Sequence, residues 1–338
     1  MAEQRYSLYL QDTLSLQESI KLVQYSEMRG LDAVWQAEGR FTRDLIVTMA
    51  AYAASTYRIK IGAGVMNVYT RNVLTMASTF LTLDDLAADR VMIGLGIWHD
   101  APARMAGVRR HKPLLALRET THALRALLAG QVVTVQGEHI QLEGASLDIA
   151  RNTTRSESRH LPIYFGVTGA HVGALAGEIA DGVLLNSLVS PTYNQQILDE
   201  LTRGIRKAAR ALDAIDRPQL IVCSVDPDRQ KALNEARLVA TSAIAQQPAL
   251  MRACGVSQGL IDEVRQVMSW SGESDTLIDA AKLVPDDVVQ LVTAAGSADE
   301  VRAKVQEYFD SGATNAVLYP LGQDVRYVID VFTDRLAR

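Results

Sequence analysis

The residues best suited to hold a cofactor in this sequence are glycines that mark the ends of predicted strands. Gly64, Gly96 and the segment Gly166-Val167-Thr168-Gly169 each end a short apolar run, and the last segment leads directly into a predicted helix. Glycine lets a ligand approach the backbone, and the N–H groups at a helix N-terminus, together with a threonine hydroxyl, suit a phosphate. The pattern predicts a phosphorylated, planar cofactor; the alternative is that these glycines serve turns and tight packing.

Two titratable residues also follow predicted strands and are candidates for proton transfer. Glu38 comes after the second strand, where a partly buried carboxyl group could donate a proton to a substrate. Its alternative role is an ion pair at the rim with Arg40 or Arg43. His99 comes after the fourth strand and could act as a general acid or lie in a solvated loop.

Two tryptophans are candidates for contact with a substrate. Trp98 precedes His99 and could offer a flat platform to a substrate or simply fill the core. Trp35 ends the second predicted strand and is assigned to the substrate as well.

The elements that must position these residues alternate between short apolar runs and longer helical patterns. This alternation predicts an α/β protein, a (β/α)8 TIM barrel in a single domain spanning 1–338, with a doubly wound open sheet as the alternative. Two insertions are expected: a β-hairpin near 132–142 and a helical excursion near 226–296. The predicted strands are Tyr6–Leu10, Leu31–Trp35, Arg58–Val65, Val91–Gly96, Leu161–Val167, Gly182–Asn186, Gln219–Val225 and Asn315–Tyr319.

Composition excludes several other classes of protein. A formal net charge of −5, 48% hydrophobic residues and 22% charged residues argue against a nucleic-acid binder and a disordered chain. No apolar run is long enough to cross a membrane, and the first residues lack a signal-peptide pattern. Two cysteines and six histidines show no metal-ligand spacing. We therefore expect a cytoplasmic protein with no metal, and with neither a membrane nor a nucleic acid as partner.

The glycine pairs Gly62–Gly64 and Gly94–Gly96 begin like a dinucleotide-binding fingerprint. Asn67 and His99 stand where that fingerprint needs its third glycine, so a Rossmann nucleotide site is rejected. Nucleophile-elbow, P-loop and zinc-protease motifs are also missing from the sequence.

Several motifs resemble those of one known family. Ile-Gly-Ala-Gly-Val-Met-Asn-Val-Tyr-Thr-Arg-Asn at 61–72 is similar to the third-strand signature of the bacterial luciferase-like oxidoreductases. Their branch of methylenetetrahydromethanopterin reductases, which use the deazaflavin coenzyme F-420, is the most similar. Supporting stretches lie at 82–96, 127–130, 161–166 and 176–183, so the resemblance covers about residues 5–190, with a weaker echo near 319–323.

The resemblance implies a barrel that binds F-420, or alternatively FMN, at the carboxyl ends of its strands. It implies a non-prolyl cis peptide at Gly64–Val65 behind the cofactor ring, contacts from Asn67 and the Gly96 backbone, and a phosphate held by Thr168 and Gly169. The full expected cofactor set is Gly64, Val65, Met66, Asn67, Gly96, Gly166, Val167, Thr168, Gly169 and Asn186.

The resemblance also orders the functional hypotheses. An F-420-dependent oxidoreductase that moves a hydride to or from a small organic molecule comes first. A monooxygenase that uses reduced FMN is the alternative, and a non-catalytic cofactor-binding protein is third. Sugar and alcohol dehydrogenases of the family carry a histidine after the acidic residue of strand two, where this chain has Gly39. The basic stretches 104–112 and 151–160 could attract an anionic cofactor tail or be solvated surfaces, and a homodimer is expected.

Overall fold

Strands and helices alternate along the chain as the sequence predicts. The computed structural model describes residues 4–39, 41–148, 160–268, 274–322 and 324–333. The strands are β1 (Arg5–Leu10), β2 (Ala33–Gln36), β3 (Lys60–Ala63), β4 (Met66–Asn67), β5 (Val91–Gly96), β6 (Val133–Gln136), β7 (Gln141–Ala145), β8 (Ile163–Val167), β9 (Gly182–Leu185), β10 (Pro218–Val225), β11 (Ala294–Gly296) and β12 (Asn315–Pro320).

The helices between these strands form the outer layer. They are α1 (Leu16–Met28), α2 (Leu45–Ser55), α3 (Val73–Leu86), α4 (Asp100–Met105), α5 (Pro113–Leu128), α6 (Ala170–Ile179), α7 (Pro191–Lys207), α8 (Arg229–Gln246), α9 (Pro248–Ala253), α10 (Gln258–Val267), α11 (Ser274–Ala281), α12 (Asp286–Val292), α13 (Ala298–Asp310) and α14 (Val325–Thr333).

Within the described ranges, eight strands close into one parallel barrel. Their order is β1-β2-β3-β5-β8-β9-β10-β12, and β12 pairs with β1 to complete the ring. Leu8 of β1, for example, lies opposite Val34 of β2 on one side and Leu318 of β12 on the other. The predicted (β/α)8 barrel is therefore confirmed, and the open sheet is rejected.

Local signals in the sequence fix where several helices begin. Ser15 with Glu18 three residues on is a capping-box pattern that predicts a helix start, and Ser15 caps α1: its hydroxyl accepts from the Glu18 backbone N–H, and the Glu18 carboxylate accepts from the Ser15 backbone N–H. Ser297 and Glu300 repeat this capping box at α13. Pro113 opens α5, where its missing N–H leaves no helical hydrogen bond unmade.

Side chains on the inner face of the strands fill the barrel. Trp35 is 1% exposed and packs edge-on against Tyr164, with 5.1 Å between ring centroids. A Cβ on the neighbouring Gly62 would lie 2.5 Å from the Trp35 indole, so only glycine leaves room for this ring. Tyr9 and Leu184 belong to the same inner cluster.

Both predicted insertions are present. β6 and β7 form an antiparallel hairpin outside the barrel, and α8 to α12 fill most of the predicted excursion between β10 and β12. These helices bury a separate apolar cluster that includes Leu233, Ile244 and Val289. The sequence reading assigned no elements to α4, α7 and the short strand β11, which pairs with β10 outside the ring.

The amino ends of the barrel strands carry a connected group of charges. Arg5 donates to Asp32 at 3.3 Å and to Asp216 at 2.5 Å. The Tyr164 hydroxyl donates to Asp216 at 3.0 Å, and Lys60 pairs with Asp32 at 2.9 Å. Every charge in this group has a partner of opposite sign, which compensates for the loss of hydration.

Candidate active site

A cavity lies at the carboxyl ends of the barrel strands. Its lining includes most of the residues that the sequence nominated: Glu38, Gly64, Val65, Asn67, Gly96, Trp98, His99, Gly166, Val167, Thr168 and Asn186. Five further lining residues were not nominated: Tyr9, Ile97, Leu184, Leu185 and Leu220. Three nominated residues, Trp35, Met66 and Gly169, do not line it.

Val65 separates the cavity from the strands beneath it. The Gly64–Val65 peptide bond is cis, as the resemblance implied. A Cβ added to Gly96 would lie 2.6 Å from Val65 Cγ2, and one added to Gly166 would lie 2.9 Å from the same atom. These two glycines therefore make room for the Val65 side chain. Tight packing, the alternative to ligand approach, accounts for them.

Gly169 differs from those glycines because an added Cβ would meet nothing within 4 Å. It occupies the N-cap position of α6 and has no side chain to accept a hydrogen bond from the first N–H groups of the helix. Beside it, Thr168 is exposed, and its carbonyl accepts a 2.7 Å hydrogen bond from the Tyr193 hydroxyl. This arrangement fixes the loop and leaves its donors available to an anion.

Glu38 and Asn67 join the loops after β2 and β4. Glu38 Oε2 accepts from the Asn67 backbone N–H at 2.7 Å and from Asn67 Nδ2 at 2.8 Å. Glu38 Oε1 is paired with Arg71, whose other terminal nitrogen donates to Asp44 at 2.7 Å. Both carboxylate oxygens of Glu38 therefore accept hydrogen bonds from the protein, and the side chain is only 14% exposed.

The alternative role expected for Glu38 was an ion pair with Arg40 or Arg43. The ion pair exists, but its partner is Arg71 and not Arg43, whose Nη2 donates to the Leu14 carbonyl at 2.6 Å. The other expected partner, Arg40, lies outside the described residues. Arg71 reaches Glu38 because the loop after β4 folds back over the end of β2.

The Asn67 side chain is fully engaged within its own loop. Its Nδ2 donates to Glu38 and to Thr70 Oγ1, and its Oδ1 accepts from the backbone N–H groups of Tyr69 and Thr70. An amide has two donor hydrogens and two acceptor lone pairs, and all four are used. Asn67 therefore shapes the loop, and its polar side-chain atoms are not free for a ligand.

The loop after β5 contributes two bulky residues to the cavity. Trp98 is half-buried and has a left-handed backbone with φ 58°. His99 is exposed and begins α4 without a side-chain capping bond. Trp98 packs edge-on against Phe41, which comes from the loop after β2, with 5.7 Å between ring centroids.

Tyr9 is the polar lining residue that the sequence reading missed. It lies within β1 and points inward, and burial raises the pKa of its phenol. The phenol therefore stays protonated and can donate a hydrogen bond into the cavity. Strand alternation is the signal that could have found it, because Tyr9 shares the inner face with Trp35 in register.

The first basic stretch, 104–112, is largely paired where it approaches the cavity. Arg110 Nε donates to the Ile97 carbonyl at 2.9 Å, and its guanidinium pairs with Asp100. Lys112 pairs with Glu138 at 2.7 Å. The second stretch, 151–160, lies outside the described residues except for its last position.

Comparison with known proteins assigns the family. The model of the luciferase-like monooxygenase family matches residues 2–315. The chain belongs to this family. A 5,10-methylenetetrahydromethanopterin reductase from Methanolobus tindarius is 29% identical over 302 residues, which cover 88% of this chain and 89% of that protein. The resemblance drawn from the motifs is thereby confirmed.

Other relatives of the family extend the comparison. An F-420-dependent glucose-6-phosphate dehydrogenase from Gordonia bronchialis is 26% identical over 336 residues, 95% of this chain and 92% of that one. The structure of the coenzyme F-420-dependent tetrahydromethanopterin reductase from Methanopyrus kandleri gives a TM-score of 0.87 at 25% identity, over 98% of both chains. A monooxygenase from Streptomyces bottropensis, with a TM-score of 0.73 at 18% identity over 99% of both chains, shares the fold.

Membrane-spanning helices and metal-binding clusters are absent from the described residues. No helix among them is long and apolar enough to cross a membrane. No group of three or more histidine, cysteine, aspartate or glutamate side chains in the same ranges has a geometry suited to a metal ion.

Proposed function

We propose that this protein is a coenzyme F-420-dependent oxidoreductase that transfers a hydride between the deazaflavin and a small organic substrate. The observation that carries the proposal is the cavity floor at Val65, held between Gly96 and Gly166 at the carboxyl ends of the strands. The similarity to F-420-dependent enzymes over nearly the whole chain supports it.

The residues present suit a large, flat and phosphorylated cofactor. Val65 and Leu184 offer apolar surface to a ring system, and Tyr9 and Asn186 add hydrogen-bonding groups to the same lining. The open N-terminus of α6 at Gly169 would take the phosphate without a cation, because N–H groups and the helix dipole both favour negative charge.

The coenzyme, when bound, would supply the hydride chemistry, and the protein would supply position and water exclusion. Asn67 and Glu38 lock the loops on either side of the floor, and Tyr9 can donate a hydrogen bond from within the barrel. His99 remains the candidate for proton exchange with a substrate, because its exposed imidazole faces the cavity.

A monooxygenase that uses reduced FMN is the second candidate. It is favoured by the family description and by the fold shared with a monooxygenase. The two candidates require the same floor and the same phosphate position, so cofactor binding distinguishes them better than any single residue. The expected homodimer and the cytoplasmic location stay predictions.

The test is a pair of fluorescence titrations of the purified protein, one with F-420 and one with FMN. We expect saturable binding of F-420 and much weaker binding of FMN; binding of FMN alone would replace the first candidate by the second. A Thr168→Glu variant should lower F-420 affinity about tenfold or more, because a carboxylate would face the phosphate. Undiminished affinity would remove Thr168 from the phosphate site.

A further inference from the structure

Two aromatic side chains meet beside the cavity from different loops. Phe41 follows β2, Trp98 follows β5, and their rings pack edge-on at 5.7 Å with an angle of 63° between planes. Trp98 lines the cavity, and Phe41 is 55% exposed behind it. Such a pair forms a firm apolar surface, because each ring limits the movement of the other.

Both residues have left-handed backbones, with φ 56° at Phe41 and φ 58° at Trp98. Large side chains rarely adopt this region, since their Cβ crowds the backbone. Surrounding contacts hold the loops there: Phe41 N–H donates to the Gly39 carbonyl at 2.6 Å, and Arg110 holds the Ile97 carbonyl just before Trp98. Unfavourable backbone conformations cluster where function requires a side chain in a fixed place.

The other residues that line the cavity indicate which class of molecule would bind beside Trp98. Among the described residues, no lysine or arginine lines the cavity. Two arginines of the loops beside the cavity are engaged in ion pairs, Arg71 with Glu38 and Asp44, and Arg110 with Asp100. Ile97, Leu185 and Leu220 add further apolar surface. A second anionic group, beyond a cofactor phosphate at α6, would meet no lysine or arginine among the described residues of this lining.

We infer that Trp98, supported by Phe41, is the specificity-determining surface of the site and selects uncharged, planar substrates over phosphorylated ones. The inference rests on the proposed function for its chemistry. A flat ring gains contact area against the indole at little entropic cost, whereas a phosphorylated sugar would lose hydration without gaining an ion pair from a lysine or arginine of the described lining. Phe41 acts through Trp98 and is a positioning residue.

The test uses equilibrium dialysis with the protein saturated with oxidised F-420, which has no hydride to donate, so that binding is measured without turnover. The probes are menadione, which is neutral and planar, 1-decalone, which is neutral and not planar, and glucose 6-phosphate. We expect menadione to bind about tenfold more tightly than either of the others. Equal or tighter binding of glucose 6-phosphate would overturn the inference.

Variants separate the roles of the two rings. We expect Trp98→Ala to weaken menadione binding about tenfold and Trp98→Phe to weaken it about threefold. Phe41→Leu should also weaken menadione binding, but by less than Trp98→Ala does. In all three variants the binding of 1-decalone should change less than that of menadione. Tyr57→Leu is the matched control, because Tyr57 is an 84% exposed aromatic residue before β3, at the opposite end of the barrel. Unchanged menadione binding in Trp98→Ala would contradict the assignment.

Each variant is also titrated with F-420 before dialysis. In Trp98→Ala, retained F-420 affinity with lost menadione preference would support the inference, whereas retained F-420 affinity with unchanged menadione preference would refute the substrate inference alone. If wild-type protein fails to bind F-420, the proposed function fails, and dialysis of the cofactor-free protein still reports whether Trp98 binds the planar probe.

Discussion

The two ends of the barrel solve the problem of polar groups in opposite ways. At the amino end, Arg5 lies between Asp32 and Asp216, and the buried Tyr164 phenol donates to Asp216. At the carboxyl end, the charged pair Glu38–Arg71 holds two loops together beside the cavity. At the amino end, ion pairs thus connect neighbouring strands. At the carboxyl end, an ion pair connects two loops at the edge of the cavity.

Glycines make room for inward side chains at both ends of the barrel. At the carboxyl end, Gly96 and Gly166 accommodate Val65, so the shape of the cavity floor depends on the absence of two side chains. At the amino end, Gly182 makes room for the Tyr164 ring, since a Cβ there would lie 2.3 Å from it, and Tyr164 bonds to Asp216 and does not line the cavity. We therefore expect substitutions at the amino end to change stability with little effect on cofactor binding. Substitutions around Val65 should change both stability and cofactor binding.

The largest effect on stability is expected at Asp216. Its carboxylate accepts from Arg5 at 2.5 Å, from Tyr164 at 3.0 Å and from Thr314 Oγ1 at 2.5 Å. Asp216→Ala would leave the buried phenol without its acceptor and the partly buried guanidinium with Asp32 as its remaining ion-pair partner, and we expect a loss of about 3 kcal/mol in the free energy of unfolding. Urea denaturation measures it.

The control for this variant is Asp310→Ala, which removes an exposed carboxylate that accepts a hydrogen bond from Gln306. Its effect should stay within about 0.5 kcal/mol. F-420 affinity should be the same in both variants, and a large loss of affinity in Asp216→Ala would break the proposed separation of the two ends.

The next effect is expected at the cavity floor. In Gly96→Ala the new Cβ would lie 2.6 Å from Val65 Cγ2 and force that side chain to move. We expect a stability loss of about 2 kcal/mol and a fall in F-420 affinity of about tenfold, because the floor changes shape. Gly259→Ala is the matched control, since a Cβ there meets nothing within 4 Å. Unchanged cofactor affinity in Gly96→Ala would mean that Val65 does not support the ring.

A smaller effect is expected for Glu38→Gln, which removes the charge that faces Arg71 and one of two acceptor oxygens. Because Glu38 orients Asn67, we expect F-420 affinity to fall about fivefold, with turnover changed no more than affinity. A proton donor would show the reverse, a large loss of turnover at full affinity. Asp44→Asn, at the other side of Arg71, controls for the loss of a charge alone and should have less effect.

Sequence patterns predicted the fold well where they repeat. Buried strands followed by amphipathic helices gave the barrel, and Ser15 with Glu18 located the start of α1 within one residue. No helix is predicted at α7, although Ser190 caps it and Pro191 opens it. The short strand β11 lacks a run long enough to stand out.

The site was predictable only in part, because local sequence patterns do not show which loops contact each other or which strand residues point into the cavity. The glycine and Thr168 positions followed from the rule that barrel sites lie at strand ends. The partnership of Glu38 with Arg71, 33 residues apart, and that of Trp98 with Phe41 depend on how loops fold over one another. Tyr9 is not among the predicted site residues, because the sequence of its strand is typical of a buried core strand.

The smallest effect is expected from an exposed ion pair on the outer rim of the carboxyl end. The Arg229 guanidinium, followed by the Ser297 backbone N–H, lowers the pKa of Glu300 to about 2 from its ordinary 4.5. Because the folded-state pKa is depressed, this stabilisation is present above pH 4.5 and is lost as the pH falls from about 4.5 to about 2. The Glu300 side chain is 36% exposed, so solvent screening limits the contribution to about 0.5 kcal/mol.

Glu300→Gln tests this value when its free energy of unfolding is compared with that of wild type at pH 6 and pH 3. The difference should be about 0.5 kcal/mol at pH 6 and shrink at pH 3, because protonation removes in wild type what the substitution removes in the variant. A difference that approaches the effect of Asp216→Ala would mean that the rim depends on its charges as strongly as the amino end does. The contrast between the two ends would then lie in their exposure and not in their energetics.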